Sequence, residues 1–245
     1  MNKLNVENIA TLLEDRSVEH PGTIAYKFIG YNSNDEIIEN NITYFNLDRA
    51  ARRIASVLDS YKSFGTRALL IFPPGIDYIT SFFACLYSGT IAVPVYPPFT
   101  TKYYTQFLSI LSNSKPKFIL SNTEITKNIK PIIEKHSNFR NLIWVNPKRI
   151  FSKIENYDFN IKINLIAFIQ YTSGSTSNPR GVMLSHENLM HNLFLIHRYF
   201  CHNSNSCGVI WLPPYHDMGL IGGILQPLYG GFPVILMSPF DFLKK

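Results

Sequence analysis

Acidic side chains are missing from the whole interval between Asp158 and Glu187, while Lys162 and Arg180 stand inside it, so the stretch offers surroundings for an anion. Cysteine is scarce as well. Cys85, Cys201 and Cys207 cannot all pair with one another, and Cys85 lies in an apolar run where a thiol packs as a small hydrophobe; this fits a reducing, cytoplasmic setting. No export signal is visible, because Glu7, Glu14 and Asp15 occupy the place where an apolar core would be needed. Charge is absent over membrane-spanning lengths in two places, residues 78–101 and 218–240. Neither makes a transmembrane segment. Ser88-Gly89, Pro94, Pro97 and Pro98 break the first, and Gly222-Gly223, Pro227, Gly230-Gly231 and Pro233 break the second. Each reads instead as a buried helix followed by a buried strand, as a parallel sheet covered on both faces requires.

Several chemical signatures are missing too. The position five after Gly174 is Pro179 where a Walker A loop needs glycine, and neither G-x-G-x-x-G nor G-x-S-x-G occurs. His186 and His191 are five apart, so they do not form the zinc-protease H-E-x-x-H, and Cys201 and Cys207 are too far apart for a zinc knuckle. No protein-bound metal is expected.

What is present describes a globular chain: 245 residues, 46% hydrophobic and 16% charged, enough for one large or two modest domains. The formal charge of +6 is local, since residues 115–162 hold ten Lys/Arg against four Asp/Glu and account for all of it. That segment is either a solvated helix face or a dock for an acidic partner such as an acidic protein or a polyphosphate. No aromatic-interleaved basic motif or helix-turn-helix accompanies it, so nucleic acid has no support.

Thr43 can cap a helix whose apolar positions Leu47, Ala50, Ala51, Ile54, Val57 and Leu58 follow the helical period. Apolar runs then recur at 68–72, 91–95, 117–120 and 142–145, separated by amphipathic stretches at 76–87, 103–111 and 125–134. A second series predicts strand 165–171, a loop, strand 181–184, helix 186–199 capped by Ser185, strand 208–212, helix 218–229 and strand 233–237. The expectation is an α/β fold of parallel sheets layered with helices, in two subregions, about 1–150 and 160–245. The chain stops just after the last strand, with no closing helix, and reads as cut short.

The loop between the first two strands of that second series holds Thr172, Ser173, Ser175, Thr176 and Ser177 around Gly174. Successive amides in such a turn can form a nest for phosphate oxygens, and Arg180 can add its planar fork. The same residues would also make an ordinary Ser/Gly turn.

"YTSGSTSNPRGVMLSHENL" (171–189) resembles the phosphate-loop signature of the adenylate-forming superfamily. "PPGIDYITSFFACLYSGTIAVPVYPP" (73–98) and "WLPPYHDMGLIGGILQPLYGGFPVILMSP" (211–239) resemble its fatty-acyl-AMP ligase branch, and "TYFNLDRAARRIASVL" (43–58) resembles a helix near the start of that family. The similarity runs from about residue 20 to 243.

The resemblance implies ATP-dependent activation of a fatty acid to an acyl-adenylate with Mg²⁺ arriving on the nucleotide, then transfer to an acyl carrier protein, for which segment 115–162 is a candidate dock. It assigns Thr172, Ser173, Gly174, Ser175 and Thr176 to the β,γ-phosphates, and Gly181 to the loop's far hinge. Arg180 stands where the superfamily usually has lysine, which keeps the charge and changes its shape. His216 falls beside the acyl carboxylate and is the one catalytic candidate, while Gly219, Gly222 and Gly223 would open space for an alkyl chain. Asp217 reads with them as substrate-binding, or simply as a helix cap, and His216 read without the motif would be a core histidine.

Members of the family are more than twice as long. The chain is therefore expected to be a partial N-terminal AMP-binding domain without the C-terminal lid and its lysine, and not to complete adenylation alone. An acyl-CoA synthetase and a non-catalytic remnant or interaction module are the rival readings.

Overall fold

A computed structural model describes residues 7–32, 34–98, 101–151, 159–172 and 179–244. The chain begins with α1 (Ile9–Glu19), β1 (Ile24–Tyr31), β2 (Ile37–Thr43), α2 (Tyr44–Ser60), β3 (Arg67–Ile71), α3 (Ile76–Ser88) and β4 (Ile91–Pro94). It continues through α4 (Thr101–Ser114), β5 (Phe118–Ser121), α5 (Thr123–Ile133), β6 (Ile143–Val145) and the short α6 (Pro147–Phe151). There follow β7 (Ile166–Thr172), β8 (Arg180–Ser185), α7 (His186–Tyr199), β9 (Gly208–Ile210), a π-helical segment (Met218–Leu225), α8 (Gln226–Gly230), β10 (Val234–Met237) and α9 (Pro239–Lys244).

These elements form two compact units. The first comprises Met1–Ala50, Pro74–Ile79 and Ser185–Lys245; the second comprises Ala51–Pro73 and Thr80–Leu184. They are not the consecutive subregions 1–150 and 160–245 that the sequence suggested. The reason is strand pairing: β10 lies parallel to β1, with Tyr26 opposite Val234 and Ile29 opposite Met237, so the late segment joins the earliest strands.

The second unit is built on a six-stranded sheet in the order β6-β5-β3-β4-β7-β8. β3 pairs in parallel with β4 and β5, β5 with β6, and β4 with β7. Its central strands are buried residue after residue rather than alternately, as strands covered on both faces must be. Ile125, Ile129 and Ile133 recur every fourth residue along α5 and pack with Phe107 and Leu111 of α4 on Leu69, Ile71, Val93 and Ile119. Each such side chain contributes about 1.5–3 kcal/mol on leaving water. Phe82 meets Phe168 edge to face, ring centres 5.7 Å apart.

In the first unit a four-stranded sheet runs β2-β1-β10-β9. β1 and β2 are antiparallel, and β10 is parallel to both β1 and β9. Asn8 caps α1 by accepting the Thr11 amide at 2.9 Å, and the helix buries Ile9, Leu12 and Leu13. Arg16 of α1 donates to the carbonyls of Leu228 and Tyr229 at 3.3 and 3.1 Å, satisfying acceptors at the end of α8. Lys244 of α9 bonds Asp35 in the β1–β2 turn at 2.6 Å.

The caps behave as the sequence implied. Thr43 Oγ1 accepts the Asn46 amide at 3.2 Å, and Ser185 and Asn188 form a reciprocal capping box at the start of α7. Ser185→Ala is expected to cost about 1 kcal/mol, read as a lower urea midpoint with an unchanged slope. Both charge-free stretches split into a helix and a strand, α3 with β4 and the π/α8 segment with β10. No described helix is long and apolar enough to cross a membrane.

Several elements differ from expectation. α1 and the β1–β2 hairpin were not foreseen, and α9 forms where no closing helix was expected. The single helix 218–229 is instead a π segment followed by α8. Pro227 explains the change: it has no N–H to give an i−4 carbonyl, and the amide before it, at Gln226, reaches back five residues to Ile221.

Candidate active site

The hydroxyl-rich loop leaves the carboxyl end of β7, between β4 and β8. β4 hands the chain back across β3 to β5, whereas β7 hands it outward to β8, so the connections after these adjacent strands depart in opposite directions. In open α/β sheets ligands bind beyond the carboxyl ends of strands at such a divergence. Thr172 ends β7 and Arg180 begins β8, both exposed. Ser173, Gly174, Ser175 and Thr176 lie outside the described residues.

The base of the loop is held from below. Tyr171 Oη donates to Asn113 Oδ1 of α4 at 2.5 Å. Burial raises the Tyr171 pKa against a lowering from Arg67, so the phenol stays a neutral donor. Gly181 sits where a Cβ would come within 2.8 Å of Ile169 Cγ2 and 3.0 Å of Tyr171 Cζ. Its lack of a side chain lets β8 lie close against β7, a packing role beside the hinge role expected of it. The Tyr171–Asn113 bond joins positions with no local signature, and sequence reasoning missed it.

The second cluster of candidates belongs to the first unit. Between β9 and the π segment the chain turns through Pro213–Asp217, with the His216 amide donating to Pro213 O at 3.1 Å. His216 is no core histidine: its side chain is 68% exposed. Asp217 Oδ1 lies 2.6 Å from His216 Nδ1 and also accepts the Met218 amide at 2.7 Å. The carboxylate therefore both caps the π segment and holds the imidazole through its Nδ1–H, which leaves Nε2 as the ring nitrogen for another partner. Tyr26 of β1 supports the segment by donating to Ile224 O at 2.8 Å, a contact the sequence did not announce.

The three glycines of the π segment do different work. A Cβ on Gly219 would fall 2.0 Å from Pro213 O, and one on Gly223 would fall 2.8 Å from Ile210 Cγ2. Both therefore have a packing reason to be small, since the segment presses on its own unit. Only Gly222 of the three has nothing within 4 Å of a Cβ. The crevice bounded by Phe28, Ile79, Leu212, Gly219, Ile224 and Leu236 has about 10 Å³ free, at the threshold for a single water. It does not hold an alkyl chain as it stands. Among the described residues no three His, Cys, Asp or Glu side chains gather to hold a metal ion.

The family model for AMP-binding enzymes matches residues 13–245. A medium-chain-fatty-acid–[acyl-carrier-protein] ligase, JamA of Moorena producens (strain JHB), is 35% identical over 253 residues, covering 100% of this chain and 42% of the relative. Mycobacterium tuberculosis (strain ATCC 25618 / H37Rv) has a relative named putative fatty-acid–CoA ligase FadD21, 32% identical, covering 97% of this chain and 42% of its own. Among solved structures, the fatty acyl-adenylate ligase of L. pneumophila in complex with acyl adenylate and pyrophosphate superposes with a TM-score of 0.84 at 37% identity, over 99% of this chain and 42% of that one. The chain thus spans about two fifths of the length of the relatives it matches.

Proposed function

The chain belongs to the AMP-binding enzyme family, and on that premise we propose that it supplies the nucleotide-gripping part of a fatty-acyl-AMP ligase. The observation that supports this reading is that Thr172 ends β7, where the connections after β4 and β7 diverge, and Arg180 opens β8, the two flanking an interval with no acidic residue. In the proposed reaction an oxygen of the fatty acid carboxylate attacks the α-phosphorus of ATP. An acyl–phosphate anhydride bond forms as the bond to the bridging oxygen breaks, and pyrophosphate leaves with that electron pair.

Thr172 to Thr176 would hold the β,γ-phosphates through backbone amides and hydroxyls, and Arg180 would balance the charge accumulating on the departing pyrophosphate. Mg²⁺ would come with ATP, because the interval offers hydroxyls and no carboxylate; it would neutralise phosphate charge. His216, oriented by Asp217, would meet the acyl carboxylate through Nε2, and Gly222 would border the alkyl chain. The acceptor is proposed to be the thiol of an acyl carrier protein, which attacks the acyl carbonyl, loses its proton and releases AMP. The basic segment 115–162 would present the face that meets it. Coenzyme A as acceptor is the second reading, favoured by the mycobacterial relative's name. A reducing cytoplasm suits the chain's free thiols at Cys85, Cys201 and Cys207.

The test is calorimetric titration with a nonhydrolysable ATP analogue and Mg²⁺. Saturable binding is expected, and Arg180→Ala should weaken it by about tenfold or more, the scale of one charge-assisted bond. Heat that does not saturate, or an affinity indifferent to Arg180, would sink the assignment.

A further inference from the structure

We propose that the second unit carries another site, for a small organic phosphate, alongside the edge strand β6 and next to the carboxyl end of β5. It does not depend on the nucleotide reading above. A cavity of about 460 Å³ opens there, within the size range of small-molecule sites. Its lining combines apolar side chains, Val57, Ile150 and Trp144, with the cations Lys127 and Lys130 of α5 and Arg149 of α6.

The placement follows from the chain's local order. Thr123 comes two residues after the end of β5, and Asn146 directly follows β6, so short connections bring polar side chains to one side of the cavity. Thr123, Thr126, Lys127 and Lys130 share one face of α5 at helical spacing, and Asn146 Nδ2 donates to Thr123 Oγ1 at 2.8 Å, tying the strand end to the helix. The opening turn of this 11-residue helix adds its positive end.

The charges point to an anion. Three cations line the cavity and no carboxylate does, Glu124 of the same helix not being among its lining side chains. Among the described residues Lys127 has no acidic partner, and Lys130 meets Glu134 at 3.7 Å in a half-exposed pair of the kind that contributes little. A ring or short alkyl body laid on Trp144 would bury apolar surface while its phosphate reached the cations and the Thr123 hydroxyl. An acidic protein face, such as the carrier protein proposed above, would meet the other cations of segment 115–162 and leave this cavity and its Trp144 ring unfilled. For that reason the small ligand is preferred.

The experiment uses the chain with Trp211→Phe, so that Trp144 is the sole indole; Trp211 stacks on Phe242 in the other unit, and a phenyl ring preserves that stacking. Phenyl phosphate at millimolar concentration should quench Trp144 fluorescence saturably, and more tightly than inorganic phosphate. Lys127→Glu with Arg149→Glu should weaken it by about tenfold or more, Lys127→Arg should retain it, and all variants should melt as the parent does. Arg180→Ala, which reports on the nucleotide loop, should leave it unchanged. Absence of quenching, quenching that survives the charge reversal, or equal affinity for inorganic phosphate would overturn the proposal. So would a response confined to phosphatidic acid vesicles, which would assign the cations to a lipid surface.

Discussion

Gly219→Ala is expected to destabilise the chain by at least about 3 kcal/mol, more than any surface substitution should. The added Cβ would lie 2.0 Å from Pro213 O, 2.7 Å from Pro213 C and 3.1 Å from Leu212 O. All three are backbone atoms, so no side chain can rotate out of the way. Relief would require moving the Pro213–Asp217 turn, which carries the His216 amide bond to Pro213 O and the Asp217 cap. Gly222→Ala is the matched control three residues on: its Cβ meets nothing within 4 Å, and the same methyl there should be neutral or stabilising by up to about 1 kcal/mol. Urea denaturation of both variants measures the contrast. Equal midpoints would show that the π segment does not press on the turn as described.

The second large effect is on acid stability. His186 opens α7 with its side chain buried, and its Nδ1 accepts the Ile9 amide at 3.4 Å, a role open only to the neutral ring. Burial lowers its pKa from the ordinary 6.5 to about 4. Below pH 6.5 the unfolded chain takes up a proton that the folded chain refuses, so stability is full above 6.5 and falls as pH drops toward 4, where the loss levels off. At about 1.4 kcal/mol per pH unit the interval amounts to about 3 kcal/mol. His197 and His202 push in the same direction, since burial also lowers both, with Arg16 adding to the effect on His197 and His197 to that on His202. His186→Asn offers an acceptor near Nδ1 that does not titrate. Urea melts from pH 7 to pH 4 should show a markedly shallower loss in this variant, and an unchanged profile would remove His186 as the cause.

Reading the chain from its residues worked best where one structural signal was sufficient. The layer from β3 to β6 announced itself through apolar runs and through the four-residue spacing of Ile125, Ile129 and Ile133, and the caps at Thr43 and Ser185 lie in the residues beside their helices. The hairpin was harder. β2 is largely exposed and carries Glu39, Asn40 and Asn41 in its middle, so neither alternation nor an apolar run marks it. A local clue did exist in the polar turn, where Asn32 Oδ1 accepts the amides of Asn34 and Glu36. What makes these strands a sheet is β10, and no window on the sequence contains both.

The candidate site divides in the same way. Thr172 and Arg180 could be proposed for a phosphate from residue type and spacing, and the structure puts them at the end of β7 and the start of β8. The separate tasks of Gly219, Gly222 and Gly223 were not legible, because each depends on which neighbour faces the missing Cβ. The exposure of His216 likewise follows from a turn held by backbone bonds. Of the two readings of Asp217, substrate-binding or helix cap, the cap is present, and the same carboxylate oxygen also meets His216 Nδ1.

The parallel pairing of β1 with β10 also imposes an order of assembly. As the chain emerges from a ribosome, every strand of the six-stranded sheet is available before Val234 appears, so that layer can form early while the opening hairpin waits for its partner. Until then the flank of β1 displays unpaired amides and carbonyls of the kind that recruit stray strands. Newborn chains paused short of Val234 should therefore be the species most dependent on chaperones.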